Sequence, residues 1–172
     1  MNLPFDLAID GPSLKMAAPC ESILRSLPQW FGMESALAQY MMDIETMPTF
    51  AANVQETVVG FLTVKQHNEH AAELYVMGIR PEFHRRGIGR RLVGRAEAYL
   101  KQNGVEFLQM KALGPSRRNE AYERTRTFYA ALGFRSLEEF KHLWSSENPC
   151  LIMVKYLKNQ LAPSNQYYKE KS

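Results

Sequence analysis

What this chain lacks narrows it first. Its 172 residues hold two cysteines, Cys20 and Cys150, without metal-ligand spacing, so they are expected as free thiols of a reducing, cytoplasmic setting. No apolar run approaches the length of a membrane span, and no secretory apolar segment opens the sequence, so no membrane role is expected. The net charge of +3 is too small to imply a nucleic-acid binder, although Arg85, Arg86, Arg90, Arg91 and Arg95 are locally dense. His67 and His70 stand in a polar turn without a partner at zinc spacing, so surface positions and no metal are expected. Cys150 follows Pro149 at a strand start with no partnered base, and reads as core rather than as a nucleophile. What remains is an ordinary globular composition, 45% hydrophobic and 23% charged, at a length that suits one domain.

The most informative stretch is Arg80-Pro81-Glu82-Phe83-His84-Arg85-Arg86-Gly87-Ile88-Gly89-Arg90-Arg91-Leu92, a glycine- and arginine-rich loop running from a strand into an amphipathic helix. Glycines let backbone approach a ligand closely, and the first turn of a helix carries N–H groups without intrahelical partners. The helix dipole adds positive charge there, so the loop suits a phosphate or pyrophosphate. It is not a Walker A loop, because no lysine follows Gly89, and Gly87, Gly89 and Gly94 do not fit a dinucleotide fingerprint. The pattern that fits is Arg/Gln-x-x-Gly-x-Gly/Ala, here His84 to Gly89 with His at the first position. In this form it resembles the coenzyme A pyrophosphate loop of the GNAT N-acetyltransferase superfamily.

A second element agrees. In Arg124-Thr125-Arg126-Thr127-Phe128-Tyr129-Ala130-Ala131-Leu132-Gly133-Phe134, Tyr122, Thr125, Phe128, Tyr129 and Leu132 recur at helical spacing and Gly133 suits a helix C-terminus. This is similar to the superfamily's second signature, a helix bearing Phe-Tyr followed by Gly-Phe. The resemblance covers roughly residues 55 to 156.

Periodicity and turn residues predict strands over Phe5–Ile9, ended by Asp10-Gly11-Pro12, and over Thr49–Val54, Thr57–Lys65, Glu73–Ile79 and Val105–Ala112. They predict helices over Pro19–Leu27, stopped by Pro28, then over Glu34–Glu45 and Ile88–Leu100. Phe134–Leu143 and Cys150–Leu157 are expected as a closing hairpin. Residues 1–157 thus form one domain and 158–172 a polar tail. The resemblance implies a three-layer α/β/α sandwich with a mixed, splayed central sheet, the splay falling between Glu73–Ile79 and Val105–Ala112.

The same resemblance implies acetyl-coenzyme A as acyl donor and transfer to a primary amine of a small molecule or peptide by direct attack in a ternary complex. Pantetheine would lie along Met77, Gly78 and Ile79, with Gly78 admitting a bulge or a close ligand. The pyrophosphate would lie on His84, Arg85, Arg86, Gly87, Ile88, Gly89 and Arg90, with Phe128 and Asn119 also at the coenzyme. Glu73 is the candidate base and Tyr129 the candidate acid for the leaving thiolate. Trp30, Phe31 and Glu34 are candidates for the acceptor pocket, Glu34 as a carboxylate for a cationic amine.

Two other functions stay open at this stage: an acyl-coenzyme A sensor without efficient turnover, and nucleic-acid binding through the arginine cluster. The acceptor is not legible; antibiotic, polyamine, amino acid and protein N-terminus all fit. A homodimer pairing through the apolar strand Leu151-Ile152-Met153-Val154 is a further expectation.

Overall fold

The computed structural model describes residues 6–157. The expected tail at 158–172 and the first residue of the strand expected at Phe5–Ile9 lie outside the described residues. Seven strands and five helices alternate as β1 (Leu7–Ser13), α1 (Ala17–Arg25), α2 (Pro28–Phe31), α3 (Glu34–Thr46), β2 (Thr49–Val54), β3 (Thr57–Gln66), β4 (Ala71–Ile79), α4 (Ile88–Gln102), β5 (Phe107–Leu113), α5 (Glu120–Ala131), β6 (Arg135–Ser145) and β7 (Asn148–Tyr156). They form one sheet in the order β1-β2-β3-β4-β5-β7-β6. Only β4 and β5 run parallel, so the sheet is mixed, as a three-layer sandwich of this kind requires.

Two cores flank the sheet. Ile88, Leu92, Val93, Ala96 and Leu100 of α4 share one with Tyr129 of α5 and the inner faces of β2 to β5 and β7. Their i, i+4, i+5, i+8 spacing is what gives α4 its single buried face. Ile23 and Leu24 of α1, Leu37 and Ile44 of α3, Phe61 and Val76 form the other.

Several boundaries move for identifiable reasons. Asp10-Gly11-Pro12 does not end β1; the strand runs to Ser13 through a register shift between Asp10 and Ser13, at the sheet edge where proline is tolerated. Helix α1 starts two residues before Pro19 and ends at Arg25. Pro28 opens α2 at its first position, where a missing N–H costs nothing, rather than merely stopping α1. Gln55 and Glu56 both take positive φ in the tight turn between β2 and β3. Strand β7 lies between β5 and β6, so Leu151–Val154 has no free backbone edge and the expected dimer pairing through it is not available.

The feature that positions the site is a splay. Strands β4 and β5 pair from Ala71↔Phe107 to Leu74↔Met110 and then part. Tyr75 falls at a register shift between β3 and β4, beside the point where the parting begins.

Candidate active site

The gap between the parted strands opens into a cleft of about 1250 Å³, lined from α2, α3, β4, the 80s loop, α4, α5 and Trp144 at the end of β6. Glu73, Tyr129, Met77, Gly78, Ile79, His84, Arg85, Gly87, Ile88, Gly89, Arg90, Phe128, Trp30 and Phe31 all line it. Of the expected site residues, Asn119, Glu34 and Arg86 do not.

On β4 the direction of the backbone groups follows from one bond. The N–H of Arg80 donates to Val59 O at 2.8 Å, so Arg80 faces β3. Alternation turns Ile79 and Met77 the other way, into the gap, and returns Gly78 toward β3. The Ile79 carbonyl is met there by the His84 ring, whose Nε2–H donates to it at 2.7 Å. Met77 and Ile79 therefore present gap-facing N–H groups. Gly78 has a packing reason to be glycine: a Cβ there would lie 3.0 Å from Ile23 of α1 and 3.1 Å from Phe61 of β3, so the missing side chain admits both.

The loop behaves as its glycines suggest. Arg85 and Gly87 both adopt left-handed φ, +58° and +78°, folding the chain so that Gly87 caps α4. Helix α4 has no side-chain cap and no acidic residue in its first turn. Its first intrahelical N–H bond is Arg91 to Gly87 O, which leaves the N–H groups of Ile88, Gly89 and Arg90 available to an anion. At Gly89 a Cβ would stand 3.0 Å from the Phe128 ring and 3.3 Å from Ile79, so glycine is what lets α4 approach both.

Asn119 is spent locally. Its Oδ1 caps α5 by accepting the Tyr122 N–H at 3.1 Å, and it lies outside the cleft. Glu34 is likewise misplaced by the sequence reading: its side chain is 74% exposed and chelated by Arg25 at 2.8 and 3.0 Å. Those hydrogen bonds to Arg25 hold its carboxyl below the usual range.

Glu73 is not a solvated strand-start residue. It is 2% exposed, and its Oε2 accepts from His67 Nε2 at 2.9 Å, Gln109 Nε2 at 3.0 Å and Lys111 Nζ at 3.0 Å. Oε1 takes none of these bonds. Gln109 sits opposite Glu73 in the last paired stretch of β4 and β5, with Lys111 two residues on. His67 is exposed, as expected, and is also one of these partners. The three supporters were missed because Gln109 and Lys111 come from β5, reaching Glu73 only through cross-strand register, and His67 from the turn between β3 and β4.

Tyr129 is 5% exposed and wedged edge-on between Phe128 and Phe134, ring centroids 5.0 and 5.4 Å away. Burial pushes its phenol well above the usual value, so it stays protonated at neutral pH. The hydroxyl takes no hydrogen bond among the described residues. No side-chain oxygen of those residues is both buried and unpartnered, so the hydroxyl opens onto the cleft. Cys150 is buried, and desolvation raises its thiol to about 11.

A splayed parallel pair, an uncapped helix N-terminus and an unpartnered phenol thus meet in one cleft. The sequence pattern of the acetyltransferase (GNAT) family matches residues 19–134, and the chain belongs to that family. It is thus an acyltransferase of the EC 2.3.1 class that uses acetyl-coenzyme A. Among solved structures, a GNAT-family protein from Desulfovibrio desulfuricans is similar with a TM-score of 0.77 at 15% identity, covering 89% of this chain and 100% of that one. The ribosomal-protein-S18-alanine N-acetyltransferase of Escherichia coli is similar with a TM-score of 0.73 at 17% identity, covering 95% and 100%. A GNAT family acetyltransferase of Elizabethkingia anophelis, solved with acetyl-CoA bound, is similar with a TM-score of 0.67 at 14% identity, covering 87% and 97%. At these identities the likeness is one of fold. No curated protein sequence matches the chain. No helix of the described residues is long and apolar enough to cross a membrane, and none of their His, Cys, Asp and Glu side chains group to hold a metal ion.

Proposed function

We propose that the chain transfers an acetyl group from acetyl-coenzyme A to a primary amine by direct attack in a ternary complex. The observation that carries this reading is that a buried carboxylate and a protonated, unpartnered phenol line one cleft with the gap-facing N–H groups of β4. The loop from His84 to Arg90 and the first turn of α4 would hold the pyrophosphate, chiefly through backbone. The N–H groups of Met77 and Ile79 would receive the pantetheine arm as a short additional strand and polarise the thioester carbonyl.

An alkylamine is mostly protonated at neutral pH, and reaching its neutral form costs about 4 kcal/mol. Glu73, anchored at Oε2 by three donors, keeps Oε1 for the proton that leaves the amine, directly or through a water. As nitrogen bonds to the carbonyl carbon and the carbon–sulfur bond breaks, Tyr129 gives its proton to the departing sulfur. Lys111 and His67 hold the Glu73 carboxylate in place through Oε2.

Calorimetry with acetyl-coenzyme A, beside thiol release over an amine panel, tests this. Micromolar binding that falls at least about 100-fold in Gly89→Trp, whose side chain must displace Phe128, together with turnover of any amine, is the expected result. Binding without turnover of any amine would favour a sensor, and absence of binding in the unaltered protein would end the reading.

A further inference from the structure

The acceptor end of the cleft is a wall of aromatic rings. Phe31 of α2, Tyr40 of α3 and Tyr75 of β4 stand edge to face in sequence, centroids 5.7 Å and then 5.5 Å apart. Trp30 is held beside them by its Nε1–H to Thr125 Oγ1 at 3.0 Å, and the Tyr122 hydroxyl donates to Trp30 O at 3.4 Å. Trp144 borders the same cleft from the far hairpin. Phe31, Tyr40, Tyr75 and Trp30 are half-buried, their backs packed on the core that contains Ile23, Leu37, Ile44 and Phe61. Their remaining surface faces the cleft, so the wall is rigid before any ligand arrives.

The polar groups of the wall itself are engaged, whereas Glu120 and Glu123 of α5 border the cleft as exposed carboxylates. Asp43 accepts from the Tyr75 hydroxyl and, at 3.1 Å, from Gln39 Nε2. Glu73 carries three donors, and Glu34 is chelated by Arg25 outside the cleft. One face of Tyr75 is covered by Lys65 Nζ, 5.6 Å from the ring centre. A polyamine or an amino sugar would draw on free carboxylates, which the ring wall lacks and only Glu120 and Glu123 on the α5 side of the cleft supply. Tyr40 is the exception in kind: its hydroxyl has no partner among the described residues and borders the cleft, within electrostatic reach of Glu73 and Tyr122.

We infer that the acceptor is a primary amine on a short alkyl arm attached to a planar aromatic group, the ring lying on the Phe31–Tyr40–Tyr75 wall and the nitrogen at Glu73. This rests on the transferase reading above. Glu73 and Tyr75 are two residues apart on one strand, roughly 6–7 Å of chain, which suits an arm of about two carbons. Flat rings gain most from such a wall because edge and stacked contacts add to area burial. The Tyr40 hydroxyl would serve a polar atom on the ring or the arm.

The chain has two tryptophans, Trp30 and Trp144, and both line this cleft, so its intrinsic fluorescence reports occupancy without turnover. With coenzyme A present, 2-phenylethylamine is expected to change that fluorescence saturably, and putrescine and n-hexylamine are not. With acetyl-coenzyme A, kcat/KM for 2-phenylethylamine is expected at least about ten-fold above either aliphatic amine, in the range one pocket group can supply. Phe31→Leu should lower it about ten-fold through KM, with the affinity for acetyl-coenzyme A unchanged. Equal or better turnover of putrescine or an amino sugar, no saturable response to the aromatic amine, or an unaltered preference in Phe31→Leu would each overturn the inference. Failure of the unaltered protein to bind acetyl-coenzyme A would instead strike the transferase reading itself, and this inference with it.

Discussion

At the end of the cleft proposed for the coenzyme the available contacts are backbone: the N–H groups of Met77 and Ile79 at the splay, and those of Ile88, Gly89 and Arg90 at the start of α4. At the acceptor end they are side chains, from α2, α3, β4, α5 and the tip of β6, held by ring contacts and two long-range hydrogen bonds. On the proposed reading, the first construction would receive a pyrophosphate and an amide-bearing arm. It tolerates change in side chains that leave the backbone path alone, which is how His84 stands where Arg or Gln is usual. The second can be rewritten residue by residue without touching the first.

The sharpest way to break this division is at the chemistry between the two ends. Tyr129→Phe removes only a hydroxyl with no partner, so kcat is expected to fall about 100-fold or more with stability and acetyl-coenzyme A affinity unchanged. Glu73→Gln should lower kcat comparably and also destabilise the fold by about 1–3 kcal/mol, because Lys111, His67 and Gln109 lose a charged acceptor. Steady-state kinetics beside urea unfolding separates the two; a stability loss in Tyr129→Phe would show that its phenol is structural.

A smaller effect tests Asn119. As the cap of α5 it should cost about 1 kcal/mol when changed to Ala, with coenzyme affinity within two-fold of the unaltered chain. A large loss of affinity in calorimetry would return it to the coenzyme site. By contrast α4 has no side-chain cap to lose, the arrangement expected of a terminus reserved for an anion.

The smallest effect concerns pH. Burial raises the phenols of Tyr129 and Tyr75 and brings that of Tyr40 to about 12. The folded chain then keeps protons that the unfolded chain releases near pH 10, so stability is full below that value and declines as pH climbs through the raised ones. Chemical denaturation between pH 8 and about 11 should show the decline, shallower in Tyr40→Phe.

Legibility followed the same line between the two ends. The loop, the α4 register and the Phe128-Tyr129 helix were readable because each is local: a turn that needs left-handed residues at Arg85 and Gly87, and an apolar spacing that fixes one buried face. Glu73 was readable as a candidate from its strand, yet its partners His67, Gln109 and Lys111 were not, since they meet only through register. The packing reason for Gly78 was not readable, because nothing local shows that α1 will lie over it. Glu34 and Asn119 were drawn into the site by position in the chain, and the structure gives each a nearer partner.

By itself, then, the sequence determined the strand order and the helices other than α2, and its loop motif carried the family resemblance that names the donor, because residues close together in the chain decide both. Only the tertiary structure decided which rings line the cleft beside Tyr75 and which donors surround the Glu73 carboxylate. Those depend on side chains as far apart as Trp30, Tyr75 and Trp144, which the splay of β4 from β5 brings to one cleft.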